Sequence, residues 1–265
     1  KMGHDSMAQA MTGVMHVNAD SNGVPRRAPI AVADISAGSL LMEGILLALI
    51  ERGTSGVGQK VEVSLIDAVL WMEAWGIATV ANATAEADHL GNPLDGGVYM
   101  AADGYMVITG LFKPNPLQSI CEVLGLSDLS LDDRFSSVDL MTENGAELEA
   151  IIQAEVEKQP RDYWVSKFDA VDVLCMPVLS LDQTIDQPQV LHNEMVVEVP
   201  SNKPAGASTV VQRHVGIPVK LGSTPGTINS PAPGIGENSR EVLAGIGYSD
   251  AEIDEMATAG VIGIG

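Results

Sequence analysis

Ile30-Ala-Val-Ala-Asp-Ile-Ser-Ala-Gly38 is the stretch on which the reading of this 265-residue chain turns. Ile30 to Ala33 is a short apolar run closed by Asp34, the pattern of a buried strand. Ser36 stands where it can cap a helix reaching to about Arg52, with Gly53 just past its end. Leu41, Ile45, Ala48 and Leu49 keep the helical spacing inside it. Upstream, Ser6 to Val17 reads as a helix of alanines and methionines, followed by a polar, Pro-containing loop from Asn18 to Pro29. Downstream, Gly53 to Gly58 is turn-rich, and Lys60-Val-Glu-Val-Ser-Leu65 alternates with period two, as a half-buried strand does. Ser64 with Asp67 resembles a capping box opening a helix through Trp71 and Trp75 to about Val80. Helix, strand, helix, strand, helix is the α/β order.

Residues 81–97 read as a linker. Val98 to Ile108 is two strands around Asp103-Gly104, a strong hairpin signal. Helices are expected at about Pro116–Leu124, Glu143–Lys158 and Arg161–Ala170, with a strand at Val173–Leu179. Beyond Pro188 the chain is strand-like at Met195–Val199, Thr209–Gln212 and Ile217–Leu221. A Pro/Gly-rich crossing, Thr224 to Gly236, leads to two terminal helices, the second opened by Ser249-x-x-Glu252. The organisation expected is two lobes: residues 1–80 with 196–265 forming a larger one, and an α+β lobe over 98–195.

The formal charge of −21, from 35 acidic and 14 basic residues, excludes a broad electrostatic grip on nucleic acid. The charge is concentrated: 81–195 holds 20 acidic and five basic residues, and the flanking segments are each at −3. With 46% hydrophobic residues a substantial core is available. The longest apolar stretch, Ile30 to Ile50, is interrupted by Asp34 and Glu43, so no membrane span is expected. The first residues lack the apolar segment of a signal peptide. Cys121 and Cys175 make neither a disulfide framework nor a metal site, so a cytoplasmic location and no metal are expected.

Asp34 has two readings on physical grounds. A carboxylate at a helix start satisfies free backbone N–H groups. One placed outside the end of a strand, beside a helix N-terminus that favours its ionised form, can serve as nucleophile or base. Trp71 and Trp75, four apart, read as core. Met2, Met7, Met11 and Met15 are spaced like a packed face, although methionine also suits an adaptable acyl-binding surface.

Gly3-His-Asp-Ser-Met-Ala-Gln-Ala-Met-Thr-Gly13, Val32-Ala-Asp-Ile-Ser-Ala-Gly38 and Gly58-Gln-Lys-Val-Glu-Val-Ser-Leu-Ile-Asp-Ala68 together resemble the class III CoA-transferases (the CaiB/BaiF family), which also contain the 2-methylacyl-CoA racemases. Ala102 to Ile108, Val173 to Val178, Pro233 to Leu243, Gly247-Tyr-Ser-Asp250 and Gly260-Val-Ile262 extend the resemblance over nearly the whole chain, in order. It implies an α/β fold in which an incomplete nucleotide-fold large domain joins a smaller α+β domain. It also implies an N-terminal region ahead of Gly-His-Asp that carries most CoA contacts, which this chain, starting at Lys1, does not show.

For a transferase, the resemblance makes Asp34 the nucleophile that exchanges acyl groups through an aspartyl-CoA thioester. Acyl-CoA and a small carboxylic acid are then substrates, with no permanently bound cofactor. Gly38 is a candidate backbone donor to the oxyanion. Arg26 and Arg27 are candidates for CoA's phosphates, and Asp5 for orienting the reacting groups. For a racemase, the resemblance pairs His4 with Asp34 as acid and base across the α-carbon. Lys113, in Gly110-Leu-Phe-Lys-Pro114, stands where racemases carry a glutamate; a lysine beside His4 would lower its pKa, and that favours the transferase. An interlocked homodimer is implied. A catalytically silent fragment surviving as an oligomeric or binding module is the alternative of a different class.

Overall fold

Backbone amides must find partners, and in this chain short side chains at helix starts supply many of them. The computed structural model describes residues 3–82, 94–110, 112–200 and 211–265. The chain divides into two compact units, Lys1–Met176 and Pro177–Gly265.

The first unit opens with five helices: α1 (Asp5–Met11), α2 (Val14–Val17), α3 (Val32–Ser55), α4 (Leu65–Met72) and α5 (Ala74–Asn82). The expected Ser6–Val17 helix is broken at Gly13, whose φ of 93° is left-handed and ends the run. α1 packs on α3 and α4 through Asp5, Ala8, Gln9 and Thr12, an i, i+3, i+4, i+7 stripe that is polar and small. The methionines lie off that stripe, with Met7 and Met11 exposed, so they form no packed face there; Met2 lies outside the described residues.

Both strands expected in this region are absent. Ile30 is exposed and α3 already begins at Val32, because Ile30 accepts from Val32 N–H and Asp5 accepts from Ala33 N–H. With those donors committed to starting a helix, no ladder can form. Ser36 therefore lies inside α3 and donates back to the Val32 carbonyl at 2.6 Å. The helix ends at Ser55, later than expected, with Gly56 left-handed at φ 74°. Residues 60–64 join no strand ladder among the described residues and run beside α3: a Cβ at Gly44 would fall 2.7 Å from Val61. Ser64 caps α4 by accepting from Asp67 N–H at 3.1 Å, but the reciprocal half of the expected capping box does not form among the described residues, and the helix expected to run to Val80 breaks at Glu73 into α4 and α5.

Of α3 only Ala33 is buried, whereas Leu46, Leu47 and Ile50 are among its exposed apolar residues. By length and composition α3 would suffice to cross a membrane, which corrects the inference that Asp34 and Glu43 rule this out. Trp71 and Trp75, expected in a core, are 67% and 64% exposed. They extend an apolar surface that no described residue covers.

The rest of the first unit is an α+β module: β1 (Gly97–Ala101), β2 (Gly104–Thr109), α6 (Pro116–Leu124), a 3-10 turn (Leu129–Leu131), α7 (Val138–Glu143), α8 (Gly145–Val156), α9 (Arg161–Asp169) and β3 (Leu174–Pro177). The sheet order is β1-β2-β3, with β1 and β2 antiparallel. Ala101 pairs with Gly104, so Ala102 and Asp103 form the turn and Gly104 opens β2. Asp103 accepts from Arg161 N–H at 2.8 Å, fastening the hairpin to the start of α9. Tyr99, Ala101, Met106 and Ile108 alternate inward onto a core with Leu117, Leu148, Ile152, Trp164 and Phe168. The free cysteines are buried in that core, where loss of hydration pushes the Cys175 thiol up to about 12.

The second unit contains α10 (Leu181–Thr184), α11 (Pro188–His192), β4 (Val196–Pro200), β5 (Val211–Val215), α12 (Ser239–Gly245) and α13 (Asp250–Thr258). β4 and β5 pair antiparallel, with Val197 opposite His214. Ile217–Leu221, expected as a strand, is irregular after Gly216 donates to the Met195 carbonyl and ends the ribbon. Ser249 and Glu252 form the reciprocal capping box expected at α13.

Candidate functional site

Asp34 lies in the first turn of α3 with its side chain exposed. Among the described residues its carboxylate forms no hydrogen bond or ion pair. Capping is thus not its work, because the neighbouring amide of Ala33 is satisfied from elsewhere. Solvent access leaves its lone pairs open.

Asp5 performs the capping. It is buried, and its Oδ1 accepts from Ala33 N–H at 2.9 Å across 28 residues of sequence. Its Oδ2 accepts from Gln9 Nε2 at 2.7 Å. His4 and Asp34 therefore sit one residue to either side of a single hydrogen-bonded contact, Asp5 to Ala33, which brings the motif at residues 3–13 to the motif at residues 32–38.

His4 is the N-cap of α1, where its Nδ1 accepts from Ser6 N–H at 3.3 Å and the Ser6 hydroxyl lies 2.9 Å away. A nitrogen that accepts carries no proton, so the neutral ring holds its proton on Nε2. That nitrogen is left for a reacting group or water. Lys113, expected beside His4, instead donates from Nζ to the Val171 carbonyl at 2.8 Å, within the α+β module.

Gly38 lies one turn after Asp34, exposed, with open space where a Cβ would go. Its amide is inside a 24-residue helix, where the i→i−4 ladder uses it, so it is not placed as a free donor. Arg26 is committed in part: its guanidinium donates to Asp20 at 2.6 and 3.0 Å and holds that carboxyl below the usual range. Arg27 is exposed and forms no ion pair among the described residues. The loop carrying both is tied to α2 by Arg26 N–H donating to the Met15 carbonyl.

Gln9 is the residue that sequence reading passed over. It is fully buried, with Nε2 also 3.3 Å from the Ile30 carbonyl and Oε1 accepting from Ala28 N–H at 3.0 Å. Its four-residue spacing from Asp5, on one helix face, was the available signal.

Residues 1–239 match the family described as CoA-transferase family III. The chain is 30% identical to an acyl-CoA transferase of Fusarium pseudograminearum, over 98% of this chain and 57% of the relative. It is 26% identical to succinyl-CoA:glutarate CoA-transferase of Mus musculus, over 99% and 60% respectively. The alpha-methylacyl-CoA racemase of Homo sapiens is 25% identical, over 98% and 66%. A crystal structure of Rv3272 from Mycobacterium tuberculosis superposes with a TM-score of 0.75 at 25% identity, covering 90% of this chain and 62% of that one. The chain thus spans about three fifths of the length of the first two relatives.

Proposed function

Because the chain belongs to CoA-transferase family III, we propose that it forms the part of an acyl-CoA:carboxylate CoA-transferase that carries the reacting carboxylate, Asp34. The carrying observation is that this side chain is exposed and unbonded among the described residues while Asp5 takes over the capping of its helix. In the proposed reaction, Asp34 attacks the acyl carbon of the thioester, giving a mixed anhydride and CoA thiolate. The thiolate attacks the aspartyl carbonyl, releasing the first carboxylate and leaving an aspartyl-CoA thioester. The incoming acid attacks that thioester, expelling the thiolate again. Attack of the thiolate on the new acyl carbon yields the product thioester and restores Asp34. Of the two arginines, Arg27 is the one without an ion pair among the described residues and is the proposed contact to CoA's phosphates, and Gly38 contributes clearance beside Asp34 rather than a donor. A homodimer is the proposed assembly: a protein surface suits the exposed face of α3 better than lipid, since Glu43 would be costly at mid-bilayer.

The second reading, a 2-methylacyl-CoA racemase, is favoured by His4, whose Nε2 has no partner among the described residues and whose backbone is held close to that of Asp34 through Asp5. One assay pair separates them. With succinyl-CoA and radiolabelled glutarate, label entering the thioester pool and lost in Asp34→Ala supports the transferase. Deuterium uptake at the α-carbon of a 2-methylacyl-CoA, lost in His4→Ala, supports the racemase. Neither activity at millimolar substrate would overturn both.

A further inference from the structure

Two side chains of α1 fasten the segment leading into α3 at three backbone atoms: Gln9 holds Ala28 N–H and the Ile30 carbonyl, and Asp5 holds Ala33 N–H. Gln9 also donates to Asp5, so the Asp5 carboxylate is aimed by Gln9 rather than by a cation. We propose that Gln9 is a positioning residue: its amide orients Asp5 and the 28–33 segment, and so sets the helical turn from which Asp34 projects. The inference rests on the reading of Asp34 as the reacting carboxylate, and it is specific to an amide. A hydrocarbon of similar size fills the space but bonds none of the three partners. A carboxylate keeps the acceptor for Ala28 yet faces Asp5 at 2.7 Å with like charge unless one proton is shared.

The surroundings make that proton the variable. Other titratable or charged groups on segments packed against or adjoining α1 are His4, His16, Asp20, Arg26, Arg27, Asp34, Glu43, Glu51, Arg52, Asp67 and Glu73. None forms a hydrogen bond or ion pair with Asp5 or Gln9 among the described residues.

The test compares Gln9→Leu and Gln9→Glu in this chain, by amide hydrogen exchange and by kinetics with succinyl-CoA and glutarate. Amide exchange at Ala33 is expected to accelerate at least about tenfold in Gln9→Leu at all pH values; in Gln9→Glu the acceleration should be present when both carboxyls are ionised and should fall away as the pH is lowered, where a shared proton restores the donor to Asp5. Amides of Val98–Ile108, in the separate hairpin, should keep their wild-type protection. In the kinetics, kcat should fall roughly 10–100-fold with KM changed less than about twofold, and Gln9→Glu should recover at low pH. Unchanged Ala33 exchange in both variants, or loss in Gln9→Glu that is independent of pH, overturns the proposal. If Asp34→Ala retains full turnover, or the wild-type chain has none, the reading of Asp34 fails instead, and exchange at Ala33 still decides the role of Gln9.

Discussion

Replacing Asp5 with alanine removes the acceptor for two donors at once, Ala33 N–H at 2.9 Å and Gln9 Nε2 at 2.7 Å. Ala33 and Gln9 are both fully buried, so neither donor turns to bulk water when its partner is lost. A buried donor left unsatisfied costs about 1–3 kcal/mol. Gln9 retains its 3.3 Å contact to Ile30, so its share lies at the low end. The expected destabilisation of Asp5→Ala is therefore about 2–4 kcal/mol. Asp5→Asn separates the two donors: its carbonyl can still serve Ala33, but its NH2 then faces the NH2 of Gln9. Rotating the Gln9 amide to cure that clash turns an NH2 toward Ala28 N–H, which donates at 3.0 Å to the oxygen now there. The network thus cannot absorb the change, and Asp5→Asn should cost about 1–2 kcal/mol. Urea unfolding followed by far-ultraviolet circular dichroism, where α1–α5 contribute strongly, reads both values. A destabilisation by Asp5→Ala of less than about 0.5 kcal/mol would refute the premise that these bonds tie α1 to α3.

Two further outcomes are expected of the protein. The Asp132 carboxyl is held down at about 2, first by the Arg134 guanidinium and then by Arg134 N–H. Its folded value lies below the unfolded one near 3.9, so its contribution is present above about pH 4 and is lost as pH falls towards 2; stability of Asp132→Asn should therefore lose less over that window in an acid titration by circular dichroism, and an unchanged profile would count against the pairing. Leu47 and Ile50 are 66% and 70% exposed on α3, so sedimentation velocity should show concentration-dependent association, reduced in the double variant Leu47→Glu, Ile50→Glu; a wild-type chain that stays monomeric at tens of micromolar would argue against a protein partner for this face.

The residues that sequence alone could place are those whose partners lie within a few positions. Ser64 and Ser249 cap their helices as their spacing predicts, and Pro116–Leu124 matches α6, because these bonds close locally. The 98–108 hairpin was legible for the same reason, with its turn one residue earlier than expected. Ile30–Ala33 and Lys60–Leu65 carry strand-like patterns and form no strand, since period and composition describe a face, whereas a ladder needs a neighbouring strand. The same limit applied to exposure: Trp71 and Trp75 have the spacing of core residues, and their burial depends on what packs over them. For the candidate site, the motifs singled out His4, Asp5 and Asp34. Only the tertiary structure decided that Asp5 spans 28 residues to free Asp34 from capping, and that Gln9 holds Asp5. A buried acceptor is satisfied by whichever donor the fold brings within about 3 Å, and sequence spacing carries no record of that distance.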